Sequence, residues 1–119
     1  MPSSGPSDAR PLSEVKAELF KAMGHPARIR ALEVLAEGER SVSELQPLVG
    51  IESSHLSQQL GVLRRAGLVT TRREGSNVVY ALKDPLVGDL LAVAKRFLLA
   101  SLTETRDLLA DLHAEVEPR

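Results

Sequence analysis

Two short amphipathic runs on either side of Gly50 constrain this chain more than any other feature. The first, S-V-S-E-L-Q-P-L from Ser41, carries Ser41 and Glu44 in the capping-box spacing and predicts a helix over about 42–48. The second, S-S-H-L-S-Q-Q-L-G-V-L-R-R-A-G from Ser53 to Gly67, sets Leu56, Leu60 and Leu63 along one side of a helix capped by Glu52 or Ser53. So short a connection makes the two helices cross. Leu45, Leu48 and Ile51 then pack against Leu56 and Leu60, which is the helix-turn-helix arrangement. Ser54, His55, Ser57, Gln58 and Arg65 are left outside that seam. No acidic residue occurs between Ser53 and Glu74, whereas an ordinary solvated helix face mixes Glu with Lys. Hydroxyls, amides and guanidinium groups suit phosphates and base edges, so this helix is predicted to read DNA.

The flanking segments fit the same plan. Residues 1–11 are Pro, Ser and Gly punctuation and predict a disordered tail, with a domain over 12–116 and a short tail over 117–119. Ser13 is the expected N-cap of a first helix to about Met23, with Val15, Leu19, Phe20 and Met23 as its apolar stripe. His25 and Pro26 start a second helix that turns Ile29, Leu32 and Leu35 inward, while Arg28 and Arg30 point elsewhere. Past Gly67, Leu68 to Thr71 and Val78 to Leu82 are β-branched runs around R-R-E-G-S-N, a β-hairpin with Arg72 and Arg73 near its tip. A hairpin directly after a recognition helix is a wing. From Asp84 and Pro85 a single long helix runs to about Val116. The fold class is therefore mainly α with a small β-hairpin: four helices, the hairpin, and a long fifth helix, a winged helix-turn-helix.

The long helix is too apolar for the surface of so small a domain. Between Leu90 and Leu102 only Lys95, Arg96 and Ser101 interrupt the apolar residues, and Leu98, Leu102, Leu109 and Leu112 continue at coiled-coil-like spacing. This predicts a homodimer through the fifth and first helices, with Val15, Leu19, Leu90, Phe97, Leu98, Leu102, Leu109 and Leu112 at the interface.

The 119 residues carry a net charge of −1, so the overall balance does not decide about nucleic acid. Its distribution does. Arg40, Arg64, Arg65, Arg72 and Arg73 face only Glu44 and Glu52 within the central segment, whereas acids outnumber bases beyond Asp84. Ser53, Ser54, His55, Ser57, Gln58 and Gln59 are expected near base edges, and Arg64, Arg65, Arg72 and Arg73 on phosphates. The absence of cysteine removes disulfides, thiolate metal sites and cysteine nucleophiles. With no Gly-rich phosphate loop and three histidines on separate elements, an enzyme is not expected. With neither a signal peptide nor a stretch able to span a bilayer, a cytoplasmic protein without a membrane partner is. His25 reads as a structural residue at a helix start and His55 as facing DNA or solvent. Asp111, His113 and Glu115 could hold Ni²⁺ or Zn²⁺, against the plainer reading of a solvated acidic helix end.

The stretches G-H-P-A-R-I-R-A-L-E-V-L, S-V-S-E-L, S-S-H-L-S-Q-Q-L-G-V-L-R-R-A-G-L-V and R-R-E-G-S-N-V-V-Y-A-L resemble the ArsR/SmtB family of bacterial winged-helix repressors, over about Glu14 to Leu112. The resemblance implies a dimer that leaves operator DNA when an effector binds. In the recognition helix Ser57, Gln58 and Leu60 fit the family pattern, and Gln59 stands where histidine is common. The family's thiolate metal site corresponds to Ser41 and Ser43 here, and its long-helix site to Asp84, Leu86, Phe97 and Ala100. Neither set holds a metal. The reading is thus a homodimeric regulator on a pseudo-palindromic double-stranded operator, its effector open between a small molecule and a partner protein. The alternatives are a protein-interaction module, a DNA-binding subunit whose partner does the sensing, and a Ni²⁺ or Zn²⁺ sensor with a non-standard site.

Overall fold

The computed structural model describes residues 10–116. Residues 1–9 of the tail expected over 1–11, and the tail expected over 117–119, lie outside the described residues. The elements are α1 (Leu12–Met23), α2 (Pro26–Ala36), β1 (Arg40–Ser41), α3 (Val42–Val49), α4 (Ser53–Arg65), β2 (Val69–Glu74), β3 (Asn77–Leu82) and α5 (Pro85–Val116).

Local chemistry accounts for most of these boundaries. Helix α1 starts one residue before the expected cap, so Ser13 lies inside it and Pro11 precedes it without a capping side chain. Pro11 holds an extended φ and ψ, and its carbonyl takes the Glu14 N–H, which does the work a serine cap would have done. At α2, His25 is the N-cap: its ring Nδ1 accepts from the Ala27 N–H at 3.0 Å, with Pro26 in the first helical position. The capping box of α3 forms as read, with the Glu44 carboxylate accepting from the Ser41 N–H at 2.8 Å. Helix α4 ends in a Schellman turn. Gly67 takes φ 77°, the Leu68 N–H reaches the Leu63 carbonyl at 2.9 Å, and Leu63 and Leu68 are both buried.

The wing is larger than the expected hairpin. Strands β2 and β3 pair from Val69↔Leu82 to Glu74↔Asn77, closed by a two-residue loop in which Gly75 supplies the positive φ of 62°. Arg72 and Arg73 consequently lie within β2. A third strand, β1, adds to the other side of β3 through Arg40↔Tyr80 and Ser41↔Val79, giving the order β1-β3-β2.

The core is a leucine cluster at the meeting of α2, α3 and α4, with Leu32, Leu45, Leu56, Leu60 and Leu63 at 0% exposure. Helix α5 joins it only at its start, through Val87, Leu90 and Leu91. There Gly88 lies so near α2 that a Cβ on it would come within 3.0 Å of the Ala36 Cβ. The 32 residues of α5 extend about 48 Å, so most of the helix projects beyond the core. Among the described residues no helix is long and apolar enough to cross a membrane.

Candidate nucleic-acid interface

The leucines on the inward side of α4 fix which of its side chains face out. Ser53, Ser54, Ser57, Gln58, Arg64 and Arg65 are all exposed. The Ser54 hydroxyl donates to the Glu52 carboxylate at 2.7 Å, which holds that acid at the helix entry. Arg64 and Arg65 occupy the last turn, where the helix dipole favours positive charge. Among the described residues neither arginine is in a salt bridge.

In the structure two of the residues expected to contact DNA have other partners. Gln59 is 8% exposed and faces the core, so it does not join the outward base-reading set. Its amide oxygen accepts from Arg28 Nη1 at 2.9 Å. The cause is position: Gln59 sits three residues after Leu56 and four before Leu63, on the apolar side of the helix. Arg28, expected to point elsewhere, supplies its polar partner. Arg72, expected as a phosphate clamp, is bracketed by the carboxylates of Glu39 and Glu74, the latter at 3.0 Å. Both carboxylates raise its pKa above the ordinary arginine value, Glu39 foremost. The Glu39 contact spans β3, because Glu39 precedes β1 and Arg72 lies on β2 at the other edge. Arg73, its neighbour on the strand, points to the opposite face and is in no salt bridge among the described residues.

His55, expected outside the leucine seam and near base edges, is instead half-buried toward the start of α2, its ring edge-on to that of His25 at a centroid distance of 5.9 Å. Between the starts of α3 and α4 and the wing tip lies a cleft of about 360 Å³, to which Ser43, Gln46, Ser53 and Asn77 contribute. Gln46 and Asn77, which no motif in the sequence singles out, border this cleft from outside α4. Glu44, in the first turn of α3, is held below the usual carboxylate range by the Ser41 N–H and then by the Ser41 hydroxyl.

The metal candidates do not come together. Asp111, His113 and Glu115 are exposed on an unbroken helix, where residues two apart point about 200° away from each other. Among the described residues no three His, Cys, Asp or Glu side chains are grouped to hold an ion. Of the expected interface residues, Val15, Phe97, Leu98, Leu102, Leu109 and Leu112 are exposed, while Leu19 and Leu90 are already half-buried against the protomer's own core. An apolar groove of about 240 Å³ between α1, α2 and α5 carries Phe20, Ile29, Leu90 and Ala94 in its lining.

Comparison with known proteins bears on this arrangement. The family described as "Bacterial regulatory protein, arsR family" matches residues 25–71, which run from the His25 cap to the middle of β2. The uncharacterized HTH-type transcriptional regulator Rv0081 of Mycobacterium tuberculosis is 52% identical over 108 residues, covering 90% of this chain and 95% of that protein. The crystal structure of Rv0081 superposes with a TM-score of 0.74 at 53% identity, over 82% of this chain and 98% of that one. The transcriptional repressor BigR from Xylella fastidiosa gives a TM-score of 0.69 at 36% identity, over 79% and 96% of the two chains. A homodimeric winged helix-turn-helix DNA-binding domain of Mb0332 from Mycobacterium bovis gives 0.66 at 28% identity, over 98% and 95%.

Proposed function

This chain belongs to the arsR family of bacterial regulatory proteins, and from that premise we propose that it is a transcriptional regulator that binds operator DNA as a homodimer. The observation that carries the reading is the outward face of α4, exposed, acid-free after Glu52 and closed by Arg64 and Arg65. A helix of 13 residues, about 20 Å long, fits lengthwise in a major groove about 12 Å wide. Ser54, Ser57 and Gln58 approach base edges there, with Gln58 able to pair bidentately with adenine. Arg64, Arg65 and, from the wing, Arg73 neutralise phosphates. A homodimer places two such helices about one turn of DNA apart on a pseudo-palindromic site. Support for the dimer comes from the exposed apolar faces of α1 and α5 and from the homodimeric Mb0332 domain. The positions resembling the family's metal sites hold Ser41, Ser43, Leu86, Phe97 and Ala100, which provide neither thiolate nor imidazole.

Fluorescence anisotropy on promoter DNA across roughly 50 to 200 mM salt tests the reading, since each neutralised phosphate contributes about −0.9 to the slope of log K against log salt. A steep negative slope is expected. Affinity that stays flat over that range sinks the phosphate assignments. The same assay with and without Zn²⁺, Ni²⁺ and Co²⁺ separates metal control from control by another effector.

A further inference from the structure

A helix reads bases only when it is held at one rotation about its own axis. Side chains of α4 extend about 5–6 Å from that axis, so a turn of about 10° moves their tips by about 1 Å. That is enough to spoil a hydrogen bond to a base edge. Leu56, Leu60 and Leu63 anchor α4 firmly, but leucine contacts lack direction and cores of this kind tolerate repacking. Directional contact on the inward side comes from two polar residues one helical turn apart, His55 and Gln59. Opposite them, the first turn of α2 presents His25 and Arg28.

Arg28 Nη1 donates to the Gln59 amide oxygen at 2.9 Å, and the Arg28 Nε is buried with no hydrogen-bond partner. Among the described residues the guanidinium has no carboxylate in a salt bridge, so Gln59 is its side-chain anchor. The His25 ring is itself fixed, because its Nδ1 accepts from the Ala27 N–H at 3.0 Å. It meets His55 at an interplanar angle of 87°. An apolar residue at position 59 would fill the same space without the cost of desolvating an amide. The amide adds orientation: any rotation of α4 that breaks the bond leaves a buried polar group unpaired.

We propose that the first turn of α2 is a polar clasp on the recognition helix, and that Arg28 is a positioning residue for base reading through Gln59. It touches no DNA itself. The inference rests on α4 being the DNA reader.

The test uses the full chain with the variants Arg28→Met, Gln59→Leu, the two combined, and Gln59→Glu, which keeps the acceptor. The probes are a duplex enriched by the unaltered protein from a randomised pool and a scrambled duplex of equal length and composition, at one salt concentration. The readouts are the ratio of the two affinities, the thermal midpoint and the molar mass. Arg28→Met and Gln59→Leu are each expected to lower the ratio about tenfold, the scale of one lost base contact, with affinity for the scrambled duplex held within about twofold. The double variant should be no worse than either single one, and Gln59→Glu should preserve the ratio. An unchanged ratio in folded variants overturns the clasp. So does a loss confined to Gln59→Leu, which would make Gln59 a direct reader, and so does a parallel fall of both affinities with the midpoint. If Gln59→Leu does not fold, Arg28→Met against Gln59→Glu carries the same comparison. Failure of the unaltered protein to enrich any motif would instead remove the DNA-reading premise.

Discussion

Helices α4 and α5 are both amphipathic, yet only one of them finishes its apolar face within its own chain. In α4 the inward leucines are completely covered, and what remains outside is hydroxyl, amide and guanidinium. In α5 the cover ends at Leu91, and Phe97 and Leu102 stand 69% and 63% exposed. Helix α1 leaves Leu12, Val15 and Phe20 exposed as well, and Phe20 lines a groove with Leu90 and Ala94 of α5. The contrast divides the molecule: a reading half complete in one protomer, and an assembly half whose burial requires another molecule. The sharpest break of that division is Leu98→Asp combined with Leu102→Asp. Light scattering should report a monomer with an intact circular-dichroism spectrum. Affinity for a two-half-site duplex should fall by about 10²-fold or more, because linked binding to the second half-site is lost. A dimer that survives both charges would place the interface elsewhere.

The next test exchanges the two leucine environments. Leu60→Ala removes a fully buried side chain from the core and is expected to cost about 3 kcal/mol in urea unfolding. Leu109→Ala, at 52% exposure, should leave protomer unfolding nearly unchanged and register only in the concentration dependence of the midpoint. Equal losses at low protein concentration would mean that α5 is already covered within the protomer.

A smaller effect separates the two wing arginines. Arg73→Ala should weaken binding to all duplexes alike and reduce the salt slope by about 1, as loss of a phosphate contact does. Arg72→Ala should do less, since Glu39 and Glu74 already balance its charge. Glu39→Gln should strengthen non-specific binding by releasing Arg72 from one of them. A slope unchanged by Arg73→Ala but reduced by Arg72→Ala would reverse the assignment of the two faces of β2.

Much of the reading half was legible because its signals are local. The Ser41 and Glu44 spacing, Pro26 after His25, Gly67 at the end of α4 and the leucine periodicity each act within one or two turns. Strand β1 was not legible: two residues, Arg40 and Ser41, pair with partners near residue 80 and carry no periodicity of their own. The Glu39 bracket on Arg72 joins side chains 33 residues apart, so arginine in a wing read as free charge. At position 59 residue type points to a base contact and spacing points to the core, and spacing decides. The register at which α5 meets another helix is absent from one chain altogether, since exposed leucines name a surface and not its occupant.

The smallest predicted effect tests the start of α3, where the reading half borders the wing. The Ser41 N–H and hydroxyl stabilise the ionised Glu44 carboxylate and hold its pKa below the ordinary range of about 4.3. A carboxyl group lowered on folding adds stability above its unfolded pKa, and that contribution disappears as pH falls through the lowered folded value. Glu44→Gln keeps an acceptor for the capping bond but removes the charge. At neutral pH the variant should therefore melt slightly below the unaltered protein. As the pH drops through and below the usual carboxylate range the two midpoints should converge. Because the carboxylate is exposed, water and salt screen the difference, which should shrink at high ionic strength. A gap that widens on acidification would mean that Glu44 is not stabilised in its charged form, and the capping box would then hold α3 by geometry alone.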